Sequence, residues 1–344
     1  MSLKDRELRN LVDRFVKLVR RDYQLAHQAA WSREHQRAFL IHRKSEFLKS
    51  QSEWLKGAQK LLNTHLRDAN NSPNADEVKP KLVVCTTREE HTLWRAAKLQ
   101  FWSMPPNEYV GRRKRILVFD GDYLMGIVGI ASCIWGLSAR DKWIGWSNLQ
   151  KKEGKIHYVL DIYILGAIPP YNGNFRGSKL IATILASKEI RKIWYDFYGI
   201  EPVVFVTTTL FGHSAIFNKI RHKNRQLWQR IGFTQGAGTM HFTRETYETA
   251  KELVASLGLT VSNRFGAGPN WKLRLMRTAL QAAGLDRKEF LRHGYQRGVY
   301  ALELASNARD FLTGVIKKED LKFYDYSLKE LVESWKQANH PKIT

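Results

Sequence analysis

Cysteine is almost absent from this chain, with only Cys85 and Cys133 among 344 residues. They lie far apart in apolar, strand-like surroundings, which excludes a disulfide framework and a cysteine metal pattern and fits a reducing cytoplasm. Long hydrophobic runs are missing too. The longest, residues 127–137, is too short to span a bilayer and contains two glycines, so no membrane partner is expected. The first residues are charged, and no signal peptide is expected. No internal repeat or low-complexity tract is visible. Acidic residues are in deficit: 33 Asp and Glu face 56 Lys and Arg, a formal net charge of +23. Such an excess attracts polyanions and favours counterion release from phosphates, so DNA or another nucleic acid is the expected partner.

What is present points to a folded protein. Hydrophobic residues make up 43% of the chain and eleven are Trp. The length allows a full core and two domains. Residues 1–67 read as a helical arm, with one apolar stripe through Leu8, Leu11, Val12, Phe15, Val19 and Tyr23. A second stripe runs through Trp31, Phe39, Phe47, Trp54 and Leu55. Basic residues between the stripes, such as Arg20, Arg37 and Lys44, either track a phosphate backbone or are solvated faces. Residues 68–80 read as a linker dense in turn formers, residues 81–243 as a core, and residues 244–344 as a mainly helical tail.

Within the core the patterns predict a strand at 81–87, a helix at 88–101, and a hairpin of 116–120 and 125–135 joined by Gly121-Asp122. A strand at 155–165 follows, then one amphipathic helix at 180–198 and a buried strand at 203–209. A further helix is expected to close on Trp228-Gln229-Arg230-Ile231-Gly232-Phe233. Helices are expected at 246–257, 271–283, 287–293 and 327–337, while 294–300 reads as either a short strand or a loop. The fold class is therefore α/β (α+β), a mixed sheet flanked by helices.

The turn Pro169-Pro170-Tyr171-Asn172-Gly173-Asn174-Phe175-Arg176-Gly177-Ser178 leads into a helix start. Free N–H groups and the helix dipole there suit a pyrophosphate; the plain alternative is an ordinary turn. The order of elements from Asp161 to Phe233 resembles the cofactor-binding half of a GNAT-type acyltransferase, including the Mom-type phage enzymes that modify adenine in DNA. That resemblance implies acetyl-CoA or another acyl donor, bound by Asn174, Arg176, Gly177, Ser178 and Lys179. Phe175 stands where the family's first Gly is expected. Trp228 replaces the phenol of its Tyr-x-x-x-Gly-Phe end, and an indole cannot act as an acid.

A second resemblance is more specific. Ser138-Ala139-Arg140-Asp141-Lys142-Trp143-Ile144-Gly145-Trp146 is similar to the Arg-Asp-Arg/Lys-Trp-Ile-Gly-Trp motif of the Druantia DruA family of anti-phage proteins. Tyr198-Gly199-Ile200-Glu201-Pro202-Val203 and residues 228–238 resemble two further segments of that family. Together they cover about residues 98–242. The resemblance implies a setting of phage–host conflict, with other defence-system subunits as partners.

For chemistry, Asp161, Asp141 and Arg140 are the candidate catalytic residues: either carboxylate could polarise an attacking amine, with Arg140 countering charge. The competing readings are an Arg-Asp pair that locks a loop, and an Asp161 that is either buried or solvent-facing. Neither a metal motif nor a serine nucleophile elbow appears. For nucleic acid the candidates are Arg112, Arg113, Lys114, Arg115, Lys219, Arg221, Lys223 and Arg225, with Trp146 as a stacking residue. Trp143 reads as core. Two functions follow: a nucleic-acid-engaging defence protein without chemistry of its own, or a transferase that modifies a base.

Overall fold

A computed structural model describes residues 3–30, 32–68, 70–71, 73–102, 111–262 and 270–339. Trp31, and parts of the expected linker, lie outside the described residues. The chain forms two compact units, and neither is continuous. One combines residues 1–47 with 234–297; the other combines 48–233 with 298–344. This differs from the division read along the sequence, because a strand from beyond residue 243 completes the sheet of the second unit.

In the first unit, α1 (Leu3–Ala29) packs against α9 (Arg244–Ser256), which in turn packs on α10 (Trp271–Ala282). Phe15 and Val19 of the apolar stripe are fully buried there with Leu253, Met276 and Leu280. The second helix of this unit is α2 (Arg33–Lys49), which continues into the other unit, and α11 (Arg287–Phe290) is a single turn. Asp22 on α1 is buried and holds the start of α9, accepting from the Thr243 N–H and the Thr246 hydroxyl, each at 2.6 Å.

In the second unit, seven strands among the described residues form one sheet. They are β1 (Pro80–Val84), β2 (Arg113–Asp120), β3 (Tyr123–Ser132), β4 (Val159–Ala167), β5 (Val204–Thr208), β8 (Trp228–Phe233) and β9 (Gly298–Glu303). Their spatial order is β1-β2-β3-β4-β5-β9-β8. The β2–β3 hairpin turns at Gly121-Asp122 as expected, with Asp120 paired to Tyr123. Only β4 and β5 run parallel. Their ladder has rungs from Val159↔Val204 to Asp161↔Val206, and beyond Asp161 the two strands part. β4 also carries a bulge: Ile162 and Ile164 face Ile130 and Gly129, and Tyr163 is the extra residue. Its ring lies over Gly129, where a Cβ would sit 2.5 Å from the phenol carbons, so a side chain there would displace it.

Helices cover the sheet: α3 (Ser52–Thr64) and α4 (Arg88–Phe101) with Trp94, Leu117 and Ile127, and α7 (Gly177–Ile184), α8 (Lys188–Tyr198) and α13 (Leu328–Asn339) with Leu160, Ile181, Trp194 and Leu331. Short helices α5 (Ser138–Ile144) and α12 (Ala308–Leu312) pack with Val159, Val206 and Val299, and α6 (Asn148–Lys152) lies against residues 155–158.

The structure corrects the sequence reading at three places and decides it at a fourth. Residues 180–198 are two helices, not one. The last turn of α7 closes through tight bonds such as Ala186 N–H to Thr183 O. The carbonyl of Ala182 instead accepts the Trp228 indole N–H at 2.8 Å, and Ser187 caps α8. No helix closes on Phe233. Residues 209–220 run through turns, and Lys219, Lys223 and Asn224 have φ of 60°, 46° and 62°, a region helices avoid. A small hairpin of β6 (Arg221–His222) and β7 (Arg225–Gln226) follows, then β8. The strand expected from residue 155 begins at Val159 after a 3-10 turn, Lys155–Tyr158. Of residues 294–300, which read as either a short strand or a loop, Gly298 onward belongs to β9, a buried strand inside the sheet.

Candidate functional site

Asp161 sits on the last rung of the β4–β5 ladder, where the strands begin to part. Its Oδ2 accepts the Ile134 N–H at 3.2 Å. Burial pushes its carboxyl up to about 6, against the opposing effects of the Arg140 charge and the Ile134 N–H. Across the gap that opens next, the Thr207 hydroxyl donates to the Ile162 carbonyl at 2.8 Å.

Arg140 and Asp141 are on α5, and their partners are all within the chain. Arg140 is fully buried. It donates from Nε and Nη2 to Oδ1 of Asp141, at 2.8 and 2.6 Å, and caps the carbonyls of Ile134 and Trp135. The Trp146 indole N–H also reaches Oδ1, at 2.9 Å, and Lys151 on α6 donates to Oδ2 at 2.6 Å. Burial alone would raise the Asp141 carboxyl, but the bonds from Lys151 and Trp146 and the Arg140 charge hold it below its usual value. Both oxygens of the carboxylate therefore face donors from within the chain, which is the arrangement of a loop lock. Lys151 completes this lock and was not anticipated, because ten residues separate it from Asp141. Trp146 is buried in the same cluster, so its ring is not offered to a base.

The turn after β4 is also engaged from within. Arg176 adopts a left-handed conformation (φ 60°), and its N–H bonds Gly173 O; the Gly177 N–H bonds Tyr171 O at 2.9 Å, and the Lys179 N–H bonds Arg176 O. The Ser178 hydroxyl accepts the Ala167 N–H. Tyr171, fully buried, is fixed by Arg67 and Asp120. A Cβ on Gly177 would lie 2.3 Å from Tyr171 O, so the close approach that requires glycine is to the chain's own backbone. On the outer side, Trp335 of α13 packs on Phe175, and Asn339 bonds the Phe175 carbonyl and the Arg176 guanidinium. The N–H groups of Arg176, Gly177 and Lys179 are thus turned to the chain itself, whereas a pyrophosphate cradle needs outward N–H groups. Positive charge does converge beside the turn: burial lowers the Lys179 pKa, and the charges of Arg176 and Lys219 lower it further.

The other basic candidates divide into two groups. Lys223 pairs with Glu330 at 2.9 Å, and Arg225 donates to Glu303 O and stacks on Tyr324 at 3.6 Å. Arg115 lies over Trp94 at 5.0 Å, inside the sheet–helix layer. Lys219, Arg221 and Arg113 are exposed, and Arg112 and Lys114 half-exposed. Beside Arg112 and Lys114 stand Phe197 and Tyr198, aromatic neighbours that no local sequence pattern singles out.

Among the described residues no helix is long and apolar enough to cross a membrane. The fold and site thus define a mixed α/β protein with a seven-stranded sheet, a closed Arg-Asp-Trp-Lys lock and solvent-facing cations. The family model of Druantia protein DruA matches residues 31–314, and the chain belongs to the DruA family. It is 31% identical over 261 residues to Druantia protein DruA of Escherichia coli strain UMEA 4076-1. That match covers 71% of this chain and spans 64% of the relative's length. No solved structure matches the chain.

Proposed function

We propose that this protein is a nucleic-acid-engaging member of an antiviral defence system, built on a GNAT-like scaffold in the cytoplasm and working with other defence subunits. One contrast carries the reading: groups that a transferase would use are engaged within the chain, while cations face solvent. Asp141 and Arg140 satisfy each other and their neighbours, and the turn at Arg176–Gly177 points its N–H groups inward. Lys219, Arg221 and Arg113 remain exposed on a chain of formal charge +23. Membership of the DruA family supports the defence setting.

The strand order, with β9 inserted between β5 and β8 and a parallel β4–β5 pair that parts after Asp161, supports a GNAT-like arrangement. The same parting favours a second reading, a Mom-type transferase that modifies a base in DNA. The missing helix before β8 and the inward-turned donors weigh against it.

A salt titration of binding to duplex and single-stranded DNA tests the first reading. The logarithm of affinity should fall linearly with the logarithm of salt, by roughly 0.7 to 0.9 per phosphate neutralised. A flat response would overturn it. Mass spectrometry of nucleosides from DNA co-expressed with the protein separates the two readings: an unmodified pool supports binding, and a new modified base supports the transferase.

A further inference from the structure

Arg112, Arg113, Lys114 and Arg115 are consecutive, but a strand sends neighbouring side chains to opposite faces. Arg115 lies over Trp94 at 5.0 Å and reaches Nδ1 of His91 at 3.5 Å, on the α4 face of the sheet, and alternation puts Arg113 on the same side. Arg112 and Lys114 turn to the opposite side, onto the last turn of α8. There the Lys114 ammonium stands 2.9 Å from the centroid of the Phe197 ring and 5.4 Å from that of Tyr198. The Arg112 guanidinium lies 5.8 Å from the Tyr198 ring and donates to Nδ1 of His157 at 2.7 Å.

This corner is rigid. The Tyr198 hydroxyl accepts the Arg113 N–H at 3.1 Å and donates to the Arg113 carbonyl at 2.9 Å, which fixes α8 to the start of β2. Burial and the Arg112 charge lower the His157 pKa, so its ring serves as a neutral acceptor that leaves the charge of Arg112 intact. Among the described residues, no carboxylate pairs with Arg112 or Lys114. Phe197 is 46% exposed, although an aromatic ring gains by burial.

We propose that Phe197, flanked by Lys114 and Arg112, is a stacking platform for an unpaired base of single-stranded nucleic acid. The proposal rests on the nucleic-acid reading above and adds the strand form and the surface. A base stacks on the open part of the ring, and the two cations hold the neighbouring phosphates. A duplex keeps its bases stacked on each other and offers Phe197 none. Because the ring and both cations are already positioned, little ordering is needed on binding.

The test measures anisotropy of labelled thymidine and uridine oligonucleotides, and of a duplex, each of about 15 nucleotides, with the full chain. The single strands should bind more tightly than the duplex. Phe197→Ala should weaken single-strand binding by about fivefold to a hundredfold, with duplex binding nearly unchanged, and Phe197→Trp should restore it. Lys114→Gln should lower the salt slope by about one, whereas Phe197→Ala should leave that slope unchanged. Thermal unfolding of each variant checks that the fold is kept, which the exposure of Phe197 makes the expected result. If Phe197→Ala binds single strands as well as the parent does, the platform is overturned while the nucleic-acid reading stands. If the parent protein binds no nucleic acid at all, both fall. The two oligonucleotide arms distinguish DNA from RNA.

Discussion

Arg140 grips a single oxygen of Asp141 with two nitrogens, at 2.8 and 2.6 Å, leaving the other oxygen to Lys151. The pair is adjacent in sequence yet ties α5 to α6 and to the loop after β3. Removing the carboxylate would leave Arg140 and Lys151, both buried, without their counter-ion. Asp141→Ala is therefore expected to destabilise the fold by about 3 to 5 kcal/mol. Urea unfolding measures it. A variant of unchanged stability would mean the lock is not structural.

Asp161 should make stability fall as pH rises through the mildly acid range. Its carboxyl is raised to about 6 in the folded protein, and an unfolded Asp titrates near about 3.9. Between those values the folded state keeps a proton that the unfolded state has lost. The cost thus grows from about pH 4 to about pH 6 and is constant above. Asp161→Asn should stabilise the protein by on the order of 2 kcal/mol near pH 8 and by nothing near pH 4. Denaturant midpoints at the two pH values check this, and equal gains at both would contradict it.

Two buried histidines in the other unit act with the opposite sign. Burial lowers His241 to about 4 and His293 to about 3. His241 meets the Phe290 carbonyl through Nε2, and His293 accepts the Tyr295 N–H on Nδ1. The unfolded state takes up protons first, near about 6.5, so their contribution is complete above that pH and is lost as pH falls towards 4 and below. The unit should loosen in mild acid. Hydrogen exchange at α9 and α11 should rise before that at β3 and β4, and His293→Gln should flatten the acid limb. Uniform exchange across both units would count against this.

Gly177 offers a test of what its missing side chain is for. A Cβ there would meet Tyr171 O at 2.3 Å and the Ala167 methyl at 3.0 Å, neither of which can swing away. Gly177→Ala should cost about 1 to 3 kcal/mol by overpacking, with no loss of nucleic-acid affinity beyond the unfolded fraction. Gly57, at an exposed position of α3 with nothing within 4 Å of its Cβ position, is the contrast. Gly57→Ala should be neutral or stabilising by up to about 1 kcal/mol. Thermal melts of the pair decide it.

Local patterns carried much of this architecture. The stripe through Phe15 and Val19 shows as helical periodicity although its partners are distant, while the capped start of α4 and the Gly121-Asp122 hairpin rest on contacts close in sequence. β9 was ambiguous because its strand character comes from pairing with β5 and β8, more than sixty residues away in each case. At the site, the adjacency of Arg140 and Asp141 was readable as a lock. The surroundings of Asp161 and the exposure of Phe197 were not, since both are set by elements distant in the chain.

Trp228 shows how such a distant contact can be tested. The indole that stands where an acid phenol was expected is fully buried, packs on Phe217 at 4.8 Å between centroids, and donates to the Ala182 carbonyl. That carbonyl belongs to the end of α7, so the indole serves as a cap supplied from β8. Trp194 is equally buried, yet its Nε1 has no hydrogen-bond partner among the described residues. Trp228→Phe and Trp194→Phe remove the same atoms from similar cores, but only the first leaves an acceptor unsatisfied. Trp228→Phe should therefore cost about 1 to 3 kcal/mol more than Trp194→Phe. Trp228→Tyr should be destabilised as well, because the smaller ring leaves a gap in a close-packed core. Equal losses at the two tryptophans would show that the Ala182 bond contributes nothing and that the break between α7 and α8 has another cause.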